Sequence, residues 1–232
     1  MPSFKPPSLD IPSDTGSTIA LFGSSKSGKT TIMKWIYEKY FRYTHICILC
    51  AAHSQSDTYK IFNKGYATIV SNFDDCVRLI RLAELIQRKT KSHYKFAFFF
   101  DDIVDQKNQA MLKKLILTYR NTNISTIIAL QYQTLFDKSS RTSVNHVFFC
   151  KYNSLEGIYD AIDKFLATDL ETDIRTSRID KTKLYRDLTK DHKFIYKNMI
   201  EEESYLGRLR KKDMCFGDSS SSEESDSSED SD

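Results

Sequence analysis

The chain has 232 residues, of which 40% are hydrophobic and 12% aromatic, and its formal net charge is +3 at pH 7. This length fits one globular α/β domain with a sizeable core and argues against a second domain. No apolar run approaches the roughly twenty residues that a membrane-spanning helix needs, so we expect no membrane partner.

The predicted elements alternate between strands and helices after an extended lead-in over residues 1–14. Such alternation indicates an α/β fold with a mostly parallel sheet and helices on both faces. The charged stretch after Thr168 is predicted to be helical to about Lys190, before two terminal strands. The predicted strands are 17–22, 45–51, 67–71, 95–100, 125–130, 145–150, 192–198 and 205–209, and the predicted helices are 29–41, 74–89, 106–119 and 155–167.

The N-terminus and the cysteines indicate the compartment. Residues 1–7 lack an apolar signal core, and five cysteines, an odd number, fit a reducing environment. We therefore expect an intracellular protein. Cys47 and Cys50 form a C-x-x-C pattern, but they lie in a predicted strand without a second Cys pair nearby. Burial as small hydrophobic side chains explains them better than metal or redox chemistry.

Residues 23–30 read Gly-Ser-Ser-Lys-Ser-Gly-Lys-Thr, which is the phosphate-binding pattern G-x-x-x-x-G-K-S/T. We call residues 23–30 the phosphate loop. An apolar strand precedes it and a helical pattern follows it, as this chemistry requires. Backbone N–H groups can surround the phosphates, Lys29 can reach the β- and γ-phosphates, and the Thr30 hydroxyl can bind Mg²⁺. The sequence therefore predicts a site for a nucleoside triphosphate, formed by Gly23, Ser24, Ser25, Lys26, Ser27, Gly28, Lys29, Thr30 and Thr31.

Polar residues end two of the buried strands that follow. Residues 95–102 form an apolar strand that ends in Asp101 and Asp102, and residues 125–130 form a strand that ends at Gln131. Ligands bind beyond the carboxyl ends of parallel strands, so these side chains should lie beside the phosphate loop. We predict that Asp101 holds Mg²⁺ and that Asp102 orients or deprotonates the attacking water. Gln131 should hydrogen-bond that water and the γ-phosphate.

The net charge conceals a strong asymmetry. From Asp218 onward every residue is Ser, Asp or Glu, and we expect residues 215–232 to be a disordered acidic tail. Residues 1–217 carry 34 basic side chains against 24 acidic ones, a net charge of +10. A domain with this positive charge suits a polyanionic partner, although a solvated basic surface is the simpler alternative.

Together these features resemble the FtsK–HerA superfamily of DNA-pumping ATPases, and most of all its viral branch of poxvirus-type genome-packaging ATPases. The resemblance covers roughly residues 15–210, assigned here to one ATPase domain over residues 15–214. Cellular members usually carry Asp-Glu where this chain has Asp101 and Asp102. Besides the phosphate loop, the resemblance rests on Asp101-Asp102-Ile-Val-Asp105, on residues 119–131 from Tyr-Arg-Asn-Thr to Gln131, on Arg141, and on Asn145-His146.

The resemblance implies further partners. Members of this superfamily form rings in which an Arg from a neighbouring subunit completes the ATP site. The matching positions are Arg120, which we prefer, and Arg141; either could instead be a surface Arg or contact DNA phosphate. A pentameric or hexameric ring around double-stranded DNA follows, with capsid or procapsid proteins as candidate partners. The expected location is the host cytoplasm or a viral factory, with association with the virion as an open alternative.

Three rival functions share the phosphate loop. A small kinase acting on a nucleoside or metabolite would need an Arg-rich lid over a monomeric site and would not need Gln131. A GTPase needs an N-K-x-D motif, and Asn63-Lys-Gly-Tyr66 lacks the Asp. A virion or scaffold protein that binds ATP structurally would not need Lys29, Asp101 and Asp102 intact. The motor interpretation uses all of these residues.

Overall fold

The computed structural model describes residues 9, 11, 15–63, 67–102, 106–131, 133, 138–170 and 177–209, without the side chains of 106–109, 118–120 and 138. Apart from residues 9 and 11, the predicted lead-in lies outside this description, as do Asp105 and the whole acidic tail. No described helix has both the length and the apolar character that crossing a bilayer demands.

Eight strands and six α-helices lie in the described part of the chain. The strands are β1 Thr18–Phe22, β2 Ile46–Ala51, β3 Ala67–Val70, β4 Phe96–Asp101, β5 Ile124–Leu130, β6 His146–Phe149, β7 Lys193–Asn198 and β8 Glu203–Arg208. The helices are α1 Lys29–Ile36, α2 Phe73–Thr90, α3 Gln106–Thr118, α4 Lys138–Arg141, α5 Leu155–Ala161 and α6 Arg178–Thr189.

The strands form an eight-stranded sheet in the order β3-β2-β4-β5-β1-β6-β7-β8. β1 to β6 pair in parallel, whereas β7 pairs antiparallel with β6 and with β8. The predicted mostly parallel α/β sheet is therefore confirmed. Antiparallel β7 and β8 need only a short connection, unlike the crossovers that parallel strands require.

Helices cover both faces of the sheet. Because successive residues of a strand point to opposite faces, Phe98 and Phe100 of β4 pack with helices α2, α3, α5 and α6, whereas Phe99 packs on the side of α1. β1, β4 and β5 are consequently buried along their whole length. Cys47 and Cys50 of β2 belong to the clusters on opposite faces, which agrees with burial rather than a paired thiol site.

The structure refines several predicted boundaries. The predicted helix 29–41 is α-helical only to Ile36 and continues as a π-helical turn, Tyr37–Phe41; a second π-helical turn, Ile162–Leu166, follows α5. A 3₁₀ turn, Asp57–Asn63, and helix α4 were not predicted. Both are shorter than two α-helical turns, so neither produces a recognisable hydrophobic period.

The register brings several strand ends to one edge of the sheet. Phe22 pairs with Leu130, and Asp101 pairs with Ala129, so β1, β4 and β5 end at nearly the same level. The candidate site lies at this carboxyl edge, as expected for an open parallel sheet.

Candidate active site

A tight loop connects β1 to α1 and contains the predicted phosphate-binding residues. Gly23 has a φ of 153°, and a Cβ at this position would lie 2.6 Å from Ser27 Oγ and 2.8 Å from Cys150 Cβ. Gly28 has a φ of 104°, where a Cβ would meet no described heavy atom within 4 Å. Packing and conformation thus require glycine at the first position, while conformation alone requires it at the second. The space beside Gly28 is open to a ligand.

Backbone hydrogen bonds hold the phosphate loop against the ends of two strands. Gly23 N donates to Leu130 O across 3.2 Å, and Ser24 N donates to Lys151 O across 3.0 Å. Asn153 N in turn donates to Ser24 Oγ across 2.9 Å. Sequence reasoning missed Lys151 and Asn153 because their backbone groups make these contacts, and backbone groups leave no signature in the residue type.

Lys29 begins α1 and is buried at the centre of the loop. Its Nζ donates to Gly23 O across 2.8 Å and to Ser24 O across 2.9 Å. Burial lowers the pKa of Lys29, while the nearby Asp102, Cys150 and Asp101 oppose that change. The ammonium therefore lies inside the loop whose N–H groups can surround phosphate oxygens, as the sequence predicts for a β/γ-phosphate contact.

The predicted metal ligands are in direct contact. Thr30 Oγ1 donates a hydrogen bond of 2.7 Å to Asp101 Oδ2, whereas the buried Asp101 Oδ1 has no hydrogen-bond partner among the described residues. Burial and the neighbouring Asp102 raise the pKa of Asp101; hydrogen bonds from Thr30 and Tyr59 and the charge of Lys29 oppose the increase. A buried carboxylate oxygen without a partner and an adjacent hydroxyl fit a hard cation such as Mg²⁺.

The described residues offer no self-sufficient metal cage. Among them no group of three or more His, Cys, Asp or Glu side chains is arranged to hold a metal ion. Mg²⁺ typically uses one or two carboxylates together with phosphate oxygens and water. A Mg²⁺ ion here would therefore depend on a bound nucleotide for further ligands.

Tyr59 contacts the site but was not identified from the sequence. It lies on the 3₁₀ turn Asp57–Asn63, and its hydroxyl donates to Asp101 Oδ2 across 2.9 Å. Burial, together with the adjacent Asp101, raises the pKa of Tyr59, so the phenol remains a hydrogen-bond donor. A single Tyr in a connection between two strands has no motif that could have revealed this role.

Asp102 and Gln131 lie together beyond the ends of β4 and β5. Gln131 Nε2 donates to Asp102 Oδ1 across 3.4 Å, and both side chains are exposed. Asp102 has a φ of 54°, a left-handed conformation that turns the chain sharply after the buried Asp101. The two carboxylates therefore face different surroundings, one buried beside Thr30 and the other exposed beside Gln131.

The two predicted arginines lie on other elements, Arg120 on the 3₁₀ turn before β5 and Arg141 at the end of α4. Arg120 lies in the 3₁₀ turn Tyr119–Thr122 before β5, at the end of that strand opposite Gln131, and its side chain is outside the described part. The guanidinium carbon of Arg141 lies 6.0 Å from the ring centre of Phe165. The structure thus brings the phosphate loop together with Asp101, Asp102 and Gln131.

Sequence comparison identifies a family match over most of the chain. The family model described as "Poxvirus A32 protein" matches residues 13–218. A search of curated proteins gives no match.

Comparison with solved structures gives matches over most of the chain. B204, described as the DNA-packaging ATPase from Sulfolobus turreted icosahedral virus, has a TM-score of 0.60 at 14% identity over 85% of this chain and 100% of B204. The genome packaging NTPase B204 from Sulfolobus turreted icosahedral virus 2, in complex with AMPPCP, has a TM-score of 0.59 at 14% identity over 86% of this chain and 100% of its own. The pCW3 conjugation coupling protein TcpA has a TM-score of 0.58 at 12% identity over 84% of this chain and 60% of TcpA. At these identities the likeness concerns the fold.

Proposed function

Because the chain belongs to the poxvirus A32 protein family, we propose that it is an ATPase that translocates double-stranded DNA to package a viral genome into a capsid. The observation that carries the ATPase assignment is the contact between Thr30 and Asp101 beside Lys29. The DNA-packaging role extends to this chain what the name of B204 states for that protein. We further propose that the chain acts in the host cytoplasm or a viral factory, with capsid or procapsid proteins as partners.

The phosphate loop and the buried carboxylate provide the nucleotide and metal contacts of this proposal. Loop N–H groups and Lys29 would hold the phosphates of ATP, while Thr30 and Asp101 would hold Mg²⁺. When bound, Mg²⁺ neutralises charge that develops on the phosphate oxygens. Asp101 Oδ1, which has no hydrogen-bond partner among the described residues, supports this assignment, because a buried carboxylate oxygen without a hydrogen bond is costly.

Asp102 and Gln131 provide the water-activating contacts. Both are exposed at the edge where the phosphate loop opens, and they share a hydrogen bond. Asp102 would accept or orient the protons of the attacking water, and Gln131 would fix the position of that water. The charge of Asp102 opposes the lowering of the Lys29 pKa by burial, which supports a role for this carboxylate in the same site.

The position of Arg120 supports a ring rather than a single subunit. β5 has seven residues, and at about 3.3 Å per residue it spans roughly 23 Å between Arg120 and Gln131. This separation is far beyond the reach of one Arg side chain. We propose that Arg120 completes the ATP site of a neighbouring subunit, in the pentameric or hexameric ring that the superfamily resemblance implies.

The net charge of +10 over residues 1–217 supports duplex DNA as the partner. Basic side chains that replace counterions along the phosphate backbone bind DNA irrespective of its sequence. A motor that moves along a whole genome needs such sequence-independent contacts. The kinase alternative receives no support from the family match or from the paired position of Asp102 and Gln131.

The proposed function is tested by the rate of ATP hydrolysis with and without double-stranded DNA. We expect Mg²⁺-dependent hydrolysis that duplex DNA accelerates, and we expect nucleosides and small metabolites to remain unphosphorylated. The Lys29→Ala variant controls for contaminating ATPases. Phosphorylation of a small acceptor, without an effect of DNA, would instead identify a kinase.

A further inference from the structure

We propose that Tyr59 is a positioning residue that fixes the Asp101 carboxylate for Mg²⁺ through its hydroxyl group. This inference rests on the proposed function, because it concerns the same ATP site. Tyr59 is only 7% exposed, and its hydroxyl lies 2.9 Å from Asp101 Oδ2. It lies outside the phosphate loop and the Asp101–Asp102 pair, 42 residues before Asp101.

The hydrogen bonds of Asp101 show why a second donor matters. Its Oδ2 accepts from both Thr30 and Tyr59, while its Oδ1 has no partner among the described residues. Thr30 is itself a predicted metal ligand, so its hydroxyl cannot orient Asp101 independently of the metal. Tyr59 can, because it belongs to a different element and is not a predicted ligand. Two donors on Oδ2 hold the carboxylate in one orientation beside Thr30, the other predicted metal ligand.

Aromatic packing gives Tyr59 a rigid support. Phe62, on the same 3₁₀ turn, stacks on Tyr37 with ring centres 4.3 Å apart and contacts the Phe99 ring edge-on at 5.3 Å. Tyr37 follows α1, and Phe99 precedes Asp101 by two residues on β4. The turn is thus fixed both to the helix that follows the phosphate loop and to the strand that carries Asp101.

Only the inward side of this turn serves the site. Asp57, Thr58 and Lys60 are exposed, whereas Tyr59 and Phe62 are buried. The ring centres of Tyr59 and Phe62 lie 6.5 Å apart in the aromatic cluster on one face of the sheet. The hydroxyl of Tyr59 therefore adds a polar contact to Asp101 that packing alone does not require.

The test compares Tyr59→Phe, which removes only the hydroxyl, with Tyr37→Phe as a matched control. Tyr37 belongs to the same aromatic cluster, but its hydroxyl donates to the backbone oxygen of Phe62 across 3.5 Å. The full chain is titrated with Mg²⁺ while a fluorescent, non-hydrolysable ATP analogue reports binding. For Tyr59→Phe we expect the half-saturating Mg²⁺ concentration to rise about tenfold, as is typical when a partner of a metal ligand is lost.

Two further measurements separate positioning from a general loss of structure. Binding of the analogue in EDTA should remain within about twofold of wild type, because metal-free binding does not use Asp101. Thermal unfolding without nucleotide confirms that each variant folds; if Tyr59→Phe does not fold, Tyr59→Met replaces it, since Met adapts to the buried space without a donor.

The outcomes distinguish this inference from the proposed function. If Tyr59→Phe responds to Mg²⁺ as the wild-type chain does, the role of Tyr59 is overturned and the ATPase assignment stays intact. Equal shifts in Tyr59→Phe and Tyr37→Phe would also overturn it, because they would indicate loosened packing. If the wild-type chain bound the analogue without any effect of Mg²⁺, the proposed function itself would fail.

Discussion

Thr30 and Asp101 share a hydrogen bond of 2.7 Å although 71 residues separate them in the chain. Thr30 ends the phosphate loop, and Asp101 ends β4, two strands away from β1 in the sheet. Their contact joins the two motifs that a P-loop ATPase uses to hold Mg²⁺. The site is therefore assembled by the order of the strands rather than by any local sequence.

The exposed carboxylate of Asp102 gives the clearest prediction for the chemical step. Asp102→Asn should retain the fold, because Asn tolerates the left-handed φ of 54° at this position. It removes the group that would accept a proton, so we expect the rate of ATP hydrolysis to fall by about 100-fold or more. The dissociation constant of a non-hydrolysable analogue should stay within about twofold of wild type.

Asp101→Asn is the matched control for the Asp102→Asn variant. It should weaken Mg²⁺-dependent binding, since Asp101 is the predicted metal ligand beside Thr30. Full turnover by Asp102→Asn would show that another group activates the water.

The distance between Arg120 and its own Gln131 predicts complementation between subunits. Arg120→Ala should bind ATP normally and hydrolyse it poorly, and Lys29→Ala should also be inactive. Mixing the two should restore part of the activity, because some mixed sites combine an intact Lys29 with a neighbour's Arg120. The ATPase rate of the mixture must exceed the sum of the separate preparations.

Subunit exchange is a condition of this experiment and is checked by sizing the mixture. Exchange without recovered activity would exclude Arg120 as the residue acting between subunits. The same mixing experiment with Arg141→Ala would then test the second candidate.

The charge distribution predicts how the chain binds DNA. Binding of duplex DNA should weaken steeply with salt and show little dependence on base sequence, because a +10 body acts through the phosphate backbone. Deleting residues 218–232 should strengthen binding, since seven acidic residues no longer compete for the basic surface. Fluorescence anisotropy at several salt concentrations measures both effects. Weaker binding after the deletion, or a strict sequence preference, would oppose this mechanism.

Because His45 is buried, we predict that the chain loses stability in acid. Burial, and secondarily the charge of Lys95, lowers the pKa of His45 from 6.5 to about 4. The unfolded chain thus binds a proton more readily than the folded chain between pH 6.5 and 4, so the free energy of unfolding should fall as the pH falls through this window. The difference in pKa corresponds to about 3 kcal/mol at most.

Urea unfolding between pH 7 and 4 measures this contribution. His45→Gln should flatten the pH dependence over the window, although it also changes the contacts with Thr44 and Phe41. The exposed His93→Gln is the control variant. An unchanged pH dependence in His45→Gln would show that other groups cause the acid sensitivity.

The sequence predicted those parts of the site that depend on motifs and strand ends. The phosphate loop follows from its glycine and Lys-Thr spacing. The contacts of Asp101 with Thr30 and of Asp102 with Gln131 follow from parallel strands that end at one edge. Tyr59 could not be predicted, because its position depends on how the Phe62 ring packs between Tyr37 and Phe99. Interactions of this kind depend on tertiary packing, and no hydrophobic period or motif spacing in the sequence indicates them.

The distinction between sequence patterns and tertiary packing also explains where the predicted elements differ from the structure. Long buried strands such as β4 and β5 have continuous apolar runs that identify them. The π-helical turn Tyr37–Phe41 follows α1 without a change in the hydrophobic pattern, so its altered hydrogen bonding was not visible in the residues.

Movement along duplex DNA, measured by displacement of a third strand, tests the proposed motor activity most directly. A triplex-forming oligonucleotide is annealed at one end of a linear duplex, and its release is followed with ATP and Mg²⁺. We expect the wild-type chain to release the third strand, and we expect no release with a non-hydrolysable analogue or with Lys29→Ala. Hydrolysis that duplex DNA stimulates without any release of the third strand would contradict translocation, as would release by the Lys29→Ala variant.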